Sequence, residues 1–122
     1  MSFDFNTNIP IYIQLVEQIK ICIISGDIKE GERLPSVREW ALQYKVNPNT
    51  MQKALAELEA LGLLFTERTN GRFVIEDRQL IEKIRNEYAM ELSQTYFKNM
   101  EKIGLSKLQA IDYLKEIGGK SE

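Results

Sequence analysis

Two helix starts, at Ser36 and Asn47, stand only eleven positions apart in this chain of 122 residues. Ser36-Val37-Arg38-Glu39 has the capping-box pattern, in which the Ser36 hydroxyl accepts from the Glu39 N–H and the Glu39 carboxylate accepts from the Ser36 N–H. Asn47-Pro48 is the second start. Asn47 offers an N-cap oxygen, and Pro48 sits where its missing N–H costs nothing and its fixed φ helps. The spacing leaves room for about two to three turns through Trp40, Ala41 and Tyr44 before Lys45 and Val46 break the pattern. The next helix turns Met51, Ala54, Leu55, Leu58 and Leu61 inward and stops at Gly62. Two short helices joined by a tight turn make a helix-turn-helix.

The flanking segments extend this unit. Leu63 to Arg68 and Arg72 to Ile75 read as strands around Asn70-Gly71, a hairpin signal because both residues tolerate positive φ. Upstream, a helix from Pro10 to Ser25 carries Tyr12, Leu15, Val16, Ile19, Cys22 and Ile23 on one face and is closed by Gly26; Asp27 to Pro35 is a polar connector. Downstream of Glu76, helical spacing returns through Leu80, Ile81, Ile84, Tyr88, Leu92 and Tyr96, and breaks at Gly104. Ser106-Lys107-Leu108-Gln109 is another capping box, opening a helix through Ile111, Leu114 and Ile117. The expected fold class is mainly α with a small β-hairpin. A winged helix-turn-helix over residues 1–75 is followed by a short two-helix dimerisation segment over residues 76–122.

Composition narrows the chemistry. Hydrophobic residues make up 43% of the chain, enough for a core, while 16 basic and 18 acidic residues leave a net charge of -2 and argue against a disordered polyanion-coating peptide. Histidine is absent and Cys22 is the sole cysteine, so disulfide scaffolds, the usual zinc sites and His-dependent catalysis lack their parts. No metal or cofactor is expected. Cys22 lies on an apolar stripe and reads as a small core hydrophobe, with a redox role the lesser alternative. Glu57 and Glu59, two apart on a helix, point to different sides and do not make a catalytic pair, so an enzyme is not expected. Met1 to Asn8 has Asp4 and no Lys or Arg, unlike the start of a secretory signal. Gln14, Glu17, Gln18 and Lys20 interrupt the greasiest stretch, Ile9 to Ile24, so no membrane span is expected and the location is read as cytoplasmic.

The remaining chemistry lies on the second helix of the pair. With its apolar stripe turned inward, its first two turns present Asn47, Asn49, Thr50, Gln52 and Lys53, donors and acceptors of a length suited to base edges or phosphates in a major groove. The acidic Glu57 and Glu59 come later, away from the helix N-terminus that favours phosphate. Between Arg33 and Val74 six basic residues (Arg33, Arg38, Lys45, Lys53, Arg68, Arg72) oppose four acidic ones (Glu39, Glu57, Glu59, Glu67), so the local surplus is positive despite the overall sign. Singly, each feature has a plainer explanation: outward polar side chains are ordinarily just solvated, and Asn70-Gly71 serves any tight turn. Phe73 and Trp40 read as core rather than base-stacking platforms, since no aromatic ladder accompanies them. The conjunction points to DNA.

Five stretches then carry a family resemblance. Pro10-Ile11-Tyr12-Ile13-Gln14-Leu15, Gly31-Glu32-Arg33-Leu34-Pro35-Ser36-Val37-Arg38-Glu39, Val46 to Ala54, Leu58-Glu59 with Leu61-Gly62-Leu63, and Gly71-Arg72-Phe73-Val74 resemble the DNA-binding domain of the GntR family over residues 9–75. The short helical C-terminus resembles the YtrA-like subfamily. The resemblance implies a bacterial transcriptional repressor, often of a transporter-type operon and of its own gene. It also implies DNA contacts from Ser36 and Arg38, from Asn47, Pro48, Asn49, Thr50, Gln52 and Lys53, and from the wing at Arg68, Asn70, Gly71 and Arg72. One departure stands out. The family's wing usually reads Arg-Gly-x-Gly-Thr-Phe-Val, whereas this chain has Thr69 for the first glycine and Arg72 for the threonine.

A single recognition helix makes too few base contacts for useful discrimination, which two-fold dimers overcome by reading two half-sites of an inverted repeat in double-stranded DNA. Leu80, Ile84, Tyr88, Leu92 and Tyr96, with Leu108, Ile111 and Leu114, are the expected homodimer interface; the other arrangement is folding back on the winged domain. The 47 residues after position 75 suffice for two helices but not for a substantial metabolite-enclosing domain, so a small-molecule effector is not legible. The rival of another class is a winged-helix protein-interaction module without DNA binding. It needs an exposed apolar patch on the third helix, which Asn49, Gln52 and Lys53 do not supply.

Overall fold

The computed structural model describes residues 4–119. Among these, the order is α1 (Ile11–Ser25), α2 (Val37–Tyr44), α3 (Pro48–Ala60), β1 (Leu64–Glu67), β2 (Gly71–Val74), α4 (Arg78–Lys102) and α5 (Lys107–Gly118). The chain is mainly helical with one antiparallel hairpin, and α1 to β2 form a winged helix-turn-helix. Two compact units divide inside α4, Met1–Ile84 and Arg85–Glu122.

In the first unit α1 and α2 both pack on α3. Pro10 is the N-cap of α1 (φ -52°, ψ 137°), so the helix begins one residue later than the periodicity suggests. The Gln14 amide folds back over this start: it accepts from Asn6 N–H at 2.7 Å and donates to the Asn6 and Ile9 carbonyls at 2.7 and 2.8 Å. Leu15 and Ile19 of α1, Met51, Leu55 and Leu58 of α3, and Leu63 and Val74 beside them are fully buried. Burial of side chains of this size is worth about 1.5–3 kcal/mol each, and it is this closure that fixes the orientation of α3. Trp40 is core as expected, edge-on to Tyr44 with centroids 6.0 Å apart. Burial raises the Tyr44 phenol to about 12, with Cys22 adding to the effect. Cys22 is itself buried among the core side chains, its thiol pushed up first by burial and second by Asp27.

The helix pair follows both predicted starts. Ser36 Oγ accepts from Glu39 N–H at 3.1 Å and Ser36 N–H donates to Glu39 Oε1 at 3.1 Å, while the Asn47 side chain accepts from Asn49 N–H at 2.7 Å. What the periodicity did not reveal is how tightly the turn closes. Lys45 takes a left-handed conformation (φ 58°) and donates to the Ala41 and Leu42 carbonyls, and Val46 N–H also returns to Ala41 O at 2.9 Å. A side chain in that conformation costs about 1–2 kcal/mol. At the other end, Leu61 departs from its expected inward position: α3 ends at Ala60, and Leu61 is its C-cap and 46% exposed.

The wing also differs from expectation. Glu67 pairs with Gly71, so the loop is Arg68-Thr69-Asn70, and of the two turn residues only Gly71 adopts positive φ (104°). Asn70 instead closes the turn, its N–H donating to Glu67 O at 3.3 Å and its side chain to Glu67 Oε2 at 2.9 Å. A three-residue loop followed by a positive-φ glycine is an alternative to the two-residue turn. Gly31 to Leu34 is not a free connector: Gly31 N–H donates to Val74 O, Val74 N–H to Glu32 O and Leu34 N–H to Arg72 O, at 2.8–3.0 Å, so this stretch runs along the outer edge of β2. Ile28 and Leu34 are buried with it. Phe73 is half-buried rather than core, stacked on its cross-strand partner Phe65 at 5.5 Å.

In the second unit Gly104 (φ 89°) ends α4 and the Ser106–Gln109 capping box opens α5, as expected. Tyr96 donates its hydroxyl to Ala110 O at 2.7 Å, and Ala110 is the one buried side chain among the described residues of this unit.

Candidate nucleic-acid interface

Because four residues of α3 (Met51, Ala54, Leu55 and Leu58) are entirely inside, its opposite face is outside. Asn47, Pro48, Asn49, Gln52 and Lys53 are exposed and Thr50 is half-buried. The helix N-terminus carries backbone N–H groups without intrahelical partners, a favourable seat for phosphate, and Asn47 caps it. Lys53 is more constrained than an outward lysine should be. Its ammonium lies 3.9 Å from the centroid of the Tyr12 ring on α1, a cation–π contact that holds the charge at the seam of α1 and α3. Tyr12 is therefore a site residue that sequence reasoning treated only as core; its half-buried position on the edge of the α1 stripe is the signal that distinguishes it.

A second element is the start of α2. Arg38 is exposed in its first turn, and Ser36, also exposed, has its hydroxyl and N–H engaged in the capping box. Hydrogen bonds from Ser36, the N–H first and the hydroxyl second, hold the Glu39 carboxyl below its ordinary value, with a smaller contribution from Arg33. An open cleft of about 600 Å³ separates this helix start from the wing, with Arg33, Ser36, Glu39, Thr66, Gly71 and Arg72 in its lining. Arg33 reaches the site because its segment pairs with β2. Its Nε is 3.1 Å from where a Cβ on Gly71 would stand, so a side chain at 71 would meet both this guanidinium and the strain of positive φ. As a connector residue Arg33 gave no hint of this, since the pairing is formed by segments about forty positions apart.

The wing carries Arg68 and Asn70 exposed in its loop. Arg72 is turned inward. Its Nε donates to Glu59 Oε1 at 2.7 Å, the same oxygen that accepts from the Thr66 hydroxyl, and the Arg72 side chain is 16% exposed. The Thr66 hydrogen bond is the leading reason that the Glu59 carboxyl lies below its ordinary value; Arg72 adds to it, against an opposing effect of burial.

The residues expected to join two copies are distributed unevenly. Leu80 lies in the first unit, its Cδ2 3.1 Å from the Cβ position of Gly62, and Ile84 is half-buried there. In the second unit Tyr88, Tyr96 and Ile111 are half-buried, with Tyr96 bonded to Ala110, while Leu92 (59%), Leu108 (76%) and Leu114 (48%) are exposed. Among the described residues no helix is long and apolar enough to cross a membrane.

The family model for bacterial regulatory proteins of the gntR family matches residues 11–74, the span from α1 to the last residue of the wing. The chain belongs to the GntR family. It is 35% identical over 115 residues to the uncharacterised HTH-type transcriptional regulator YhcF of Bacillus subtilis, covering 94% of this chain and 95% of that protein. It is 40% identical over 77 residues to the HTH-type transcriptional repressor YtrA of the same organism, covering 63% of this chain and 59% of that one. Among solved structures, a GntR family transcriptional regulator from Listeria monocytogenes superposes with a TM-score of 0.84 at 38% identity, over 92% of this chain and 98% of that chain. The AraR DNA-binding domain in complex with operator ORX1 superposes with a TM-score of 0.55 at 28% identity, over 61% of this chain and 94% of that one. This GntR-family chain is thus a YtrA-like transcriptional regulator and not an enzyme.

Proposed function

We propose that this regulator is a cytoplasmic repressor that binds an inverted-repeat operator as a homodimer, each copy setting the start of α3 into a major groove. The observation that carries the reading is the division of α3: Met51, Ala54, Leu55 and Leu58 are wholly inside, which leaves Asn49 and Gln52 outside at its first turns. Amide side chains there can pair bidentately with adenine, and the helix start can take a backbone phosphate. Arg38 and Arg68, both exposed, supply cations on either side for phosphates. The AraR domain, of the same fold, is solved on an operator, which supports assigning the same kind of partner here.

The dimer is supported by apolar exposure. Leu92, Ile103, Leu108, Leu114 and Ile117 are all exposed in the unit Arg85–Glu122, more apolar surface than so small a unit ordinarily leaves in water. Burying these side chains against a second copy would remove that surface and create the two-fold symmetry of a palindromic site, with half-sites about 34–36 Å apart. Its own gene and a neighbouring transporter-type operon are the proposed targets.

The test is a gel shift with the DNA upstream of its own gene against unrelated competitor, repeated across salt, alongside sedimentation at micromolar concentration. Retention of the upstream fragment by a dimer is expected. Even about six phosphate contacts should cost several powers of ten in affinity between low and moderate salt. A flat salt response removes the DNA reading, and a monomer removes the palindrome.

A further inference from the structure

We propose that Arg72, Thr66 and Glu59 form a latch that sets the wing against α3, so that Arg72 serves operator binding as a positioning residue rather than as a phosphate contact. The inference rests on the DNA-binding reading above and deepens it. Its basis is the register of the hairpin. Leu64 pairs with Val74 and Thr66 with Arg72, and residues two apart on a strand share a face. Leu64 and Val74 are buried, so the face they occupy is the one that packs inward. Thr66 and Arg72 are the next cross-strand pair on that face, one step nearer the wing tip. Both side chains converge on a single atom, Glu59 Oε1, one turn or less from the C-terminal end of α3.

Three features make this more than a surface ion pair. The Arg72 and Glu59 side chains are 16% and 32% exposed, so the pair is partly shielded from water. Bonds from both strands to one carboxylate fix the hairpin in two directions, where a bond from one strand would act as a pivot. The opposite edge of β2 is held independently by Gly31 to Leu34, which leaves the angle between the wing tip and α3 as the quantity the latch governs. The pairing also cancels the acid on α3 and the added cation on the wing, the residue where the family's wing usually has threonine. A phosphate contact through the Arg72 Nε would require it to leave Glu59.

The two roles predict opposite signs for one substitution. If Arg72 touches phosphate, Glu59→Ala releases it and removes a negative charge, so binding tightens. If the latch sets the wing, Glu59→Ala weakens binding. The experiment measures affinity for the upstream DNA fragment with the full-length wild type, Glu59→Ala, Arg72→Thr and the double variant, across salt, with thermal melting of each. Expected are losses on the order of tenfold for each single variant and about the same for the double variant, because both remove one interaction. The slope of log affinity against log salt should not change, whereas a lost phosphate contact lowers it by about one. Hydrogen exchange of the amides of residues 66–72 should accelerate on the order of tenfold in both single variants, with the α1 and α3 core amides unchanged. Tighter binding by Glu59→Ala, a reduced slope for Arg72→Thr, or multiplied losses in the double variant overturns the latch. If the wild type retains no DNA, the DNA-binding reading fails by itself, and unchanged exchange at the wing then overturns the latch separately.

Discussion

The units Met1–Ile84 and Arg85–Glu122 solve the same problem in opposite ways. The first closes its own core: three helices and the wing bury Leu15, Ile19, Met51, Leu55, Leu58, Leu63 and Val74 completely, and its polar ends are capped from within. The second is as regular, with a capping box and a tyrosine hydrogen bond, yet buries only Ala110 among its described residues and leaves leucines in water. Good local helix signals are therefore no guide to self-sufficiency. Stability of the first unit should depend on its interior, while the second should depend on what it meets.

Five changes sharpen or break that contrast. The largest effect is expected from Leu55→Ala, which empties a fully buried site and should cost the first unit about 2–5 kcal/mol in denaturant unfolding. Its counterpart is Leu108→Asp, which should leave that unfolding unaltered and convert the proposed dimer to a monomer in sedimentation; a dimer that survives moves the interface elsewhere. Arg38→Ala comes next, weakening operator affinity by about 1–3 kcal/mol with sedimentation unchanged. Loss of the fold in that variant would make Arg38 a structural residue. Asn47→Ala removes the cap on α3 and should lower stability by about 1 kcal/mol in thermal melting. The smallest effect is a gain. Lys45→Gly relieves a left-handed side chain in the helix turn at some cost in chain entropy, and a net stabilisation of about 0.5 kcal/mol is expected; a loss would mean that the Lys45 side chain contributes there.

Much of the fold was legible because its signals are local. Ser36 with Glu39, Asn47 with the Asn49 N–H, and Ser106 with Gln109 each satisfy backbone groups within one turn, and each helix starts where they stand. The inward stripe of α3 was equally clear from Met51 to Leu58 and ended there, Leu61 being the C-cap and 46% exposed. The wing was legible as a hairpin but not in detail. Asn70-Gly71 is compatible with both a two-residue and a three-residue loop, and the choice went to the register that pairs Glu67 with Gly71. In the candidate site, exposure of Asn49, Gln52 and Arg38 follows from periodicity, whereas the engagement of Lys53 by Tyr12 and of Arg72 by Glu59 does not. Those partners lie on other elements, at separations for which no spacing rule exists.

The sequence by itself determined where helices begin, which faces turn inward and that a basic hairpin follows the helix pair, because capping and amphipathic periodicity act over a few residues. Only the tertiary structure decided which cations remain outward. Three segments distant in the chain, Gly31 to Leu34, the end of α3 and β2, meet at the wing, and their meeting places Arg33 beside Gly71 and Arg72 on Glu59. A charge can be counted from sequence, but its partner is set by packing.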